Sequence, residues 1–587
     1  MLIATRLAEL KRWLWLINRR RLNRRQRTHR VRYDVWCQRH DTLDEATRAA
    51  LDARLADLPA MPRITVRLAL DGASVPALNA TFASLLAQGY PAWRLELTGQ
   101  ADGAAASWAA ATAAADARVS LGAWGSSDAA TRWWVLATAG DIWRAHALLL
   151  LAEAAVHSPA AQLIYADHDR LDAHGQRCEP AFLCDWNPEL LLADDCIGPA
   201  ALWRAERVSA VLAAGVRGPH DLALRASCGL PADAMVHVPH VLVHRATGAR
   251  AVDADADAVA AHLGRLGLRG SAALTPAGVR VRWALPEPAP RVSIVIPTRN
   301  QLELLRACIE SIRSLTDYPD FEIVIVDNGS DDPTCLRYLQ DIAGTPGVRV
   351  LRDARPFNYA ELNNAAVAQC SGEFIALLNN DIEVIAGGWL REMVSLAALP
   401  DTGAVGARLL YGDRSVQHAG VFLGLGGGAG HGHKGLGEFD GGHLGRALQL
   451  QSVSAVSAAC LVVRRAHYEA IGGLDAAAFA VAFNDVDFCL RLRARGLRNL
   501  YTPHAVLLHH ESVTRGRDGH AARRPRFESE RATFRARWGH LLERDPAYNP
   551  NLTLRAEDFS LADPPRVSLL RSWRHDAPPV SGLCAAR

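Results

Sequence analysis

Four carboxylates in this chain stand at places where acid chemistry is useful. Asp327, Asp353 and Asp381 follow short apolar runs, and Asp485 opens a helix-period segment. A carboxylate accepts hydrogen bonds, binds hard cations through oxygen and can take a proton from a hydroxyl. His509 and His510 end the strand-like VLLHH and bring imidazoles that, when neutral, join divalent ions. Acids and imidazole gathered at one edge suit a phosphate-bearing ligand held with a metal ion.

A parallel sheet is what the sequence offers to hold them. Val292-Ser293-Ile294-Val295-Ile296 stops at Pro297-Thr298-Arg299-Asn300, and Leu302, Leu305, Ile309 and Ile312 then recur at helical spacing. Further apolar runs end at Asp327-Asn328-Gly329-Ser330, at Arg352-Asp353 and at Asn379-Asn380-Asp381. Short apolar runs alternating with helical periods predict an α/β sheet covered on both faces, and ligands bind such sheets beyond the carboxyl ends of the strands. Downstream, Asn484 reads as an N-cap and Asp485–Arg495 as a helix, with Cys489, Leu490 and Leu492 inward and Gly496 ending it. Asp485 then sits in a first helical turn, where the helix dipole favours its ionised form.

The segments VSIVIPTRN, IVIVDNGS, NNAAVAQCSGEFIALLNND and FNDVDFCLRLRARG, in that order and spacing, resemble glycosyltransferase family 2. The resemblance runs from about Val292 to about Arg517 and is similar to bacterial rhamnosyltransferase-like and O-antigen-type members; YNPNLTLRAEDFSL also resembles the tail of that subgroup. It implies an inverting enzyme of GT-A fold. It further implies a nucleotide site built from Pro297, Thr298, Arg299, Asn300, Asp327, Asn328, Asp353, Asn363, Asn379 and Asn380. Within it Asp327 accepts the N3–H of a uracil or thymine ring, while Asp-Asn-Gly-Ser is equally good turn chemistry. By the same resemblance Asp381 and His509, with His510 as second choice, hold Mg²⁺ or Mn²⁺. Asp485 is the general base, with Asp487 the alternative, and Arg515 reaches the diphosphate or stays solvated. The family's acidic pair is Asn379-Asn380-Asp381 here, so one carboxylate serves the metal.

The part from about Ile64 to Arg245 echoes that module. ASLLAQGYPAWRLEL matches ESIRSLTDYPDFEIVIV, WVLATAGDIW matches IALLNNDIEV, and HDLALR matches VDFCLR. Gly99 stands in the place of Asp327 and Pro219 in that of Asp485, while Asp141 keeps the last acid. The fold expected is therefore α/β with tandem GT-A modules, the first degenerate and suited to scaffolding or gripping acceptor. Asp167-His168-Asp169 reads as a surface turn or a metal pair. The boundaries expected are a basic helical region over 1–60, the degenerate module over 61–250, a Pro/Ala-rich linker over 251–290, the catalytic module over 291–545 and a tail over 546–587. The glycine-dense stretch from His418 to Arg446 reads as a lid or acceptor loop.

Composition narrows the classes. The chain has 587 residues and net charge +3, which gives no nucleic-acid footprint, and its 11 scattered cysteines include no CxxC, as in a reducing compartment. No run of about 18 apolar residues predicts a membrane-spanning helix. Leu7, Leu10, Leu14 and Ile17 form a helical stripe ahead of Arg19, Arg20, Arg21, Arg24, Arg25 and Arg27, which suits either an anionic membrane surface or a helix packed on the enzyme. The function expected is transfer of a sugar, rhamnose favoured, from a UDP- or dTDP-sugar to a surface or lipid-linked glycan at the cytoplasm or inner membrane face. The alternative is a non-catalytic glycan-binding or assembly scaffold. A nucleotidyltransferase fits poorly, because PTRNQLELL supplies no Gly-rich basic loop.

Overall fold

The structure is a computed structural model that describes residues 30–122, 132–245, 254–510 and 524–571. The basic stripe of Leu7–Arg27 and Arg515 lie outside the described residues.

Two sheets repeat one strand order. The first holds β1 (Ile64–Ala69), β2 (Trp93–Thr98), β3 (Val119–Leu121), β4 (Trp133–Ala137), β5 (Ile142–Trp143), β6 (Leu163–Leu171), β7 (Arg177–Ala181), β8 (Ala201–Arg204) and β9 (Met235–Arg245). Their order is β3-β2-β1-β4-β8-β6-β9-β5, with β7 beside β6. A hairpin of β10 (Gly270–Thr275) and β11 (Gly278–Trp283) follows. The second sheet opens with β12 (Val292–Thr298), β13 (Phe321–Asp327), β14 (Val348–Arg352), β15 (Phe374–Leu378), β16 (Ile382–Val384), β17 (Thr402–Leu410) and β18 (Val416–His418). After a separate pair, β19 (Val421–Leu423) and β20 (Ala429–His431), it adds β21 (Gln451–Val453), β22 (Cys460–Arg464) and β23 (Arg498–His509). Its order is β14-β13-β12-β15-β22-β17-β23-β16, with β18 beside β17 and β21 beside β23. Strand for strand, β1 takes the place of β12, β4 of β15, β6 of β17 and β9 of β23. The fold is α/β and tandem.

Burial explains the elements. Val292 to Ile296 is buried throughout, and β12 pairs in parallel with both β13 and β15, as a strand covered on two faces must. The helix Leu302–Leu315 turns Leu305, Cys308, Ile309 and Ile312 into the core. One apolar cluster runs through both modules, joining Trp203, Val259 and Trp283 to Ile294, Ile309 and Met393. Polar contacts cross the same seam: Arg498 pairs with Glu189, and Asn187 Nδ2 donates to Ser452 O at 2.8 Å.

Three sequence expectations change here. Residues 254–285, within the stretch read as linker, hold the helix Ala256–Arg265 and the β10–β11 hairpin, whose Val259, Leu263, Val281 and Trp283 are core residues. Their apolar spacing outweighs the Pro and Ala content, and 284–290 is the part before β12 without helix or strand. Within the stretch read as a tail, residues 546–571 form a strap packed on the rest of the chain. Asn549 Nδ2 donates to Asp167, Trp36 Nε1 donates to Ala562 O at 2.8 Å, and Arg30 pairs with Asp558. The glycine-dense stretch from His418 to Arg446 packs inward, with His418 and His433 each 1% exposed and the rings of His433 and His443 stacked on Phe559 of the strap. In this structure its buried histidines form part of a wall, while Phe439 is 86% exposed. Among the described residues no helix is long and apolar enough to cross a membrane.

The strap's anchor titrates. His237 lies between Asp167 and Asp185, with Nε2 2.9 Å from one carboxylate and Nδ1 3.2 Å from the other. Burial alone would lower its pKa, but the two acids overcome it and hold it at about 9. A pKa raised on folding gives stability that is full below about 6.5 and lost as pH rises towards 9. The melting temperature should therefore fall between pH 7 and 9.5, and His237→Leu should flatten that fall. Thermal melts across that range check it.

Candidate active site

The carboxyl edge of the second sheet collects most of the expected residues. Parallel register sets Thr298 beside Asp327 and Asp327 beside Arg352. Asp327 is 2% exposed; its Oδ1 accepts the Ser330 N–H at 2.9 Å and its Oδ2 accepts from Arg352 Nη1 at 2.7 Å. Gly329, at φ +70°, makes the turn that brings Ser330 back to this carboxylate. The turn chemistry of Asp-Asn-Gly-Ser is thus in use. Sequence reasoning missed Arg352, although aligning the run that ends at Leu351 with the one that ends at Val326 puts it next to Asp327. Asn328 Nδ2 donates to the carbonyls of Asp353 and Arg355, which fixes the amide and leaves Oδ1 as its accepting face.

Several expected nucleotide contacts are occupied otherwise. Asn363, within the helix Tyr359–Val367, is fully buried and donates to Tyr359 O at 2.7 Å, so in this conformation no ligand touches it. Asn300 has left-handed backbone (φ 54°) and binds the loop Asp331–Asp332 through both ends of its amide. Asp353 is clamped by the Arg355 guanidinium, which holds its carboxyl below the usual range. Arg299 is exposed, Pro297 is half-buried, and Asn380 Nδ2 donates to Thr298 Oγ1 at 3.0 Å.

Asp381 and His509 meet. β16 pairs with β23 so that Ile382 faces His509, and His509 Nε2 lies 3.1 Å from Asp381 Oδ1. On the far side of the ring, Nδ1 faces Gln417 Oε1 at 2.7 Å. A carboxamide oxygen only accepts, so Nδ1 donates to Gln417, and a divalent ion bound beside Asp381 would take the Nε2 lone pair of the neutral ring. A carboxylate oxygen and an imidazole lone pair at this spacing fit a divalent ion, whose adjacent ligands lie roughly 3 Å apart when its bonds are about 2.1 Å long. Asn379 Nδ2, 3.4 Å from the same Nε2, closes that side. Among the described residues no group of three or more His, Cys, Asp or Glu side chains is placed to hold a metal, so phosphate oxygens would have to complete the shell. Gln417 was not foreseen, because only the β17–β18 pairing brings it to the end of β23. His510 points elsewhere, to Glu383 Oε2 at 2.8 Å.

Asp485 joins this edge through one loop. Its Oδ2 accepts the Ala458 N–H at 3.1 Å, and the next carbonyl, Ala459 O, accepts Asn379 N–H at 3.0 Å. Tyr359 Oη donates to Ala458 O at 3.1 Å and steadies the loop. The helix begins one residue earlier than expected, at Asn484, with Phe483 as the N-cap in left-handed geometry (φ 61°). Asn484 instead donates its amide to Val481 O. Asp485 stays half-buried and lies in the first turn.

Asp487 is a different acid. It has no exposure, and it accepts from Arg491 Nε at 2.7 Å, Arg537 Nη1 at 2.8 Å and Trp538 Nε1 at 3.0 Å. The first module repeats the pair as Asp221 and Arg225, with Pro219 where Asp485 stands. An acid kept where the neighbouring acid is lost serves the fold, which removes Asp487 as the alternative base. Asp487→Ala should destabilise by about 2–3 kcal/mol, less than a fully buried pair because Arg537 is partly exposed. Chemical denaturation should show it.

In the first module the corresponding edge is closed. Ile142 faces His244 exactly as Ile382 faces His509. The His244 ring is held by Asp169, which also accepts from Tyr33 Oη and Arg177 Nε. Arg177 and Arg144 then clamp Asp41, whose carboxyl falls to about 2. Asp167 and Asp169 are both fully buried and bonded to protein partners, so the pair is not a surface turn. Their partners come from the N-terminal segment and the strap, far away in sequence.

Residues 293–472 match the sequence model of glycosyl transferase family 2. Over 446 residues the chain is 43% identical to the uncharacterized protein y4gI of Sinorhizobium fredii, covering 72% of this chain and 49% of that protein. It is 36% identical over 440 residues to the O-antigen biosynthesis protein RfbC of Myxococcus xanthus, covering 72% of this chain and 34% of RfbC. The N-acetylglucosaminyl-diphospho-decaprenol L-rhamnosyltransferase of Mycobacterium tuberculosis is 27% identical over 235 residues, 36% of this chain and 74% of that enzyme. The chain spans half or less of the length of the first two relatives. Among solved structures, the mannosyltransferase PcManGT of Pyrobaculum calidifontis, in complex with GDP-Man and Mn²⁺, aligns with TM-score 0.32 and 20% identity over 43% of this chain and 64% of that one.

Proposed function

From the premise that the chain belongs to glycosyltransferase family 2 through residues 293–472, we propose that its second module transfers a sugar from a UDP- or dTDP-linked donor to a glycan acceptor, with inversion at the anomeric carbon. The observation that carries the reading is the meeting of Asp381 and His509 at 3.1 Å, one loop away from Asp485. Asp381 and His509 would hold a divalent ion, Mg²⁺ or Mn²⁺, which when bound supplies positive charge against the donor diphosphate. Gln417 fixes the His509 tautomer. Asp485 takes the proton of the acceptor hydroxyl while that oxygen attacks C1 from the face opposite the departing diphosphate. Thr298, Asp327, Asn328 and Asn380 line the strand ends that receive the nucleotide, and Asp327 reads the base where Arg352 yields room. Arg515 joins the diphosphate side.

Rhamnose is the favoured donor sugar, and a lipid-linked surface glycan on the inner membrane face the favoured acceptor. The named activities of the rhamnosyltransferase and O-antigen relatives support both choices. The basic N-terminal stretch supplies the membrane contact in this reading. The first module is a scaffold: Gly99 and Pro219 replace two of the working acids, and Asp169 consumes the histidine equivalent to His509.

The test is donor hydrolysis by purified protein across a panel of UDP-, dTDP- and GDP-sugars, with and without Mg²⁺ or Mn²⁺. Metal-dependent release of UDP or dTDP from one donor is the expected result and names the sugar. Absence of both turnover and calorimetric binding for every donor would move the reading to an assembly scaffold.

A further inference from the structure

A cavity of about 180 Å³ lies at the seam of the two modules, away from Asp381 and Asp485. Its walls come from the carboxyl ends of β6 and β9, from the segment after β7 and from Leu444, Arg446 and Gln449 of the second module. This is the edge where ligands bind α/β sheets, in the copy whose donor position is filled by Tyr33, Asp169 and Arg177. What is left is smaller than the roughly 300 Å³ at which pockets for drug-sized ligands begin, so it takes one ring rather than a nucleotide sugar.

The lining states the ligand's chemistry. Glu179, Asp185, Asp194 and Asp195 face three guanidiniums, those of Arg170, Arg245 and Arg446. Asp185 is further paired with His237 and Arg544, so neither sign of charge dominates the lining, and hydroxyl groups, which both donate to carboxylates and accept from arginines, suit it better than an ion of one sign. Tyr165 and Leu183 supply an apolar wall for the C–H face of a ring. The site is held firm: the Arg446 guanidinium donates through Nε and Nη2 to Gln451 Oε1 at 3.0 and 2.7 Å, and Tyr165 Oη donates to Cys184 O at 2.8 Å. Gly198, at φ +74°, leaves the space that the His168 ring fills, since a Cβ there would stand 2.8 Å from that ring.

We propose that this cavity is a saccharide subsite that grips one neutral ring of the acceptor glycan at the module seam. That the glycan is an acceptor rests on the transferase reading; that the cavity binds a neutral sugar ring does not.

Saturation-transfer NMR on the full chain, with L-rhamnose, D-mannose and N-acetyl-D-glucosamine as probes, tests it. At least one sugar should take up saturation, keep it under excess UDP and dTDP, and keep it in Asp485→Asn. Asp195→Asn retains the acceptor for the Ile197 N–H, which Asp195 Oδ1 accepts at 3.0 Å, yet should weaken binding about tenfold. Arg170→Gln, in the same lining, should do the same and serves as the second variant if the first lowers the melting temperature. No saturation with any probe, displacement by nucleotide, or equal binding in both variants would overturn the proposal. Sugar binding with neither turnover nor calorimetric binding of any donor would sink the transferase reading and leave the subsite standing.

Discussion

Asp485→Asn is expected to cut transfer about 10²–10⁴-fold, the usual worth of a positioned general base, with little change in donor affinity. The substitution preserves shape and leaves an amide oxygen able to accept the Ala458 N–H that Asp485 accepts at 3.1 Å. What it removes is the ability to take a proton. The melting temperature should move by no more than a few degrees, since of the two N–H groups that Asp485 accepts, those of Ala458 and Val486, one keeps a neutral acceptor and the other, in the first helical turn, loses its acceptor. Measured with acceptor, kcat should fall while the KM for donor holds. Asp487→Ala should give the opposite pattern, lost stability with residual turnover in the folded fraction, because Asp487 is sealed among Arg491, Arg537 and Trp538. Equal turnover of Asp485→Asn and wild type would remove Asp485 from the chemistry.

That contrast marks how far the residues could be read in advance. Apolar runs that stop at Thr298, Asp327 and Asp381 are local, and parallel pairing follows from them, so the carboxyl edge was legible. The repeat was legible for the same reason: Tyr90-Pro91 and Tyr318-Pro319 precede equivalent strands. What composition concealed was tertiary. Glycines from Gly420 to Gly445 suggest mobility, but here they allow backbone to approach Phe422, Phe559 and the strap, and a Cβ at Gly432 would meet the Phe422 ring at 2.2 Å. The Pro- and Ala-rich stretch before Val292 hid Val259, Leu263 and Trp283, whose apolar side chains decide its packing. Asp167 and Asp169 looked like a loop motif because their partners, Asn549 and Tyr33, are supplied by opposite ends of the chain. Gln417 carries no signal of its own; only strand pairing gives it a role.

Asp381→Asn is expected to be the other severe lesion, lowering donor turnover about 10²–10⁴-fold, since it removes the carboxylate proposed to hold the divalent ion that would offset diphosphate charge. The fold should survive, because Asp381 O still accepts the His510 N–H and β16 still pairs with β23. A graded series separates the metal reading from simple packing. Gln417→Leu leaves both proposed ligands but frees the His509 ring to rotate or change tautomer, which should cost about 10–100-fold in metal affinity, and saturating Mn²⁺ should recover much of the turnover. His509→Ala should cost more and recover less. Asp381→Asn should not recover at any attainable metal concentration. Manganese titrations followed by electron paramagnetic resonance in the presence of UDP read affinity apart from turnover. Three variants losing turnover without any ordered change in Mn²⁺ affinity would mean that the Asp381–His509 contact is a structural ion pair, and donor charge would then have to be met by the exposed arginines near the same edge, Arg299 and Arg352.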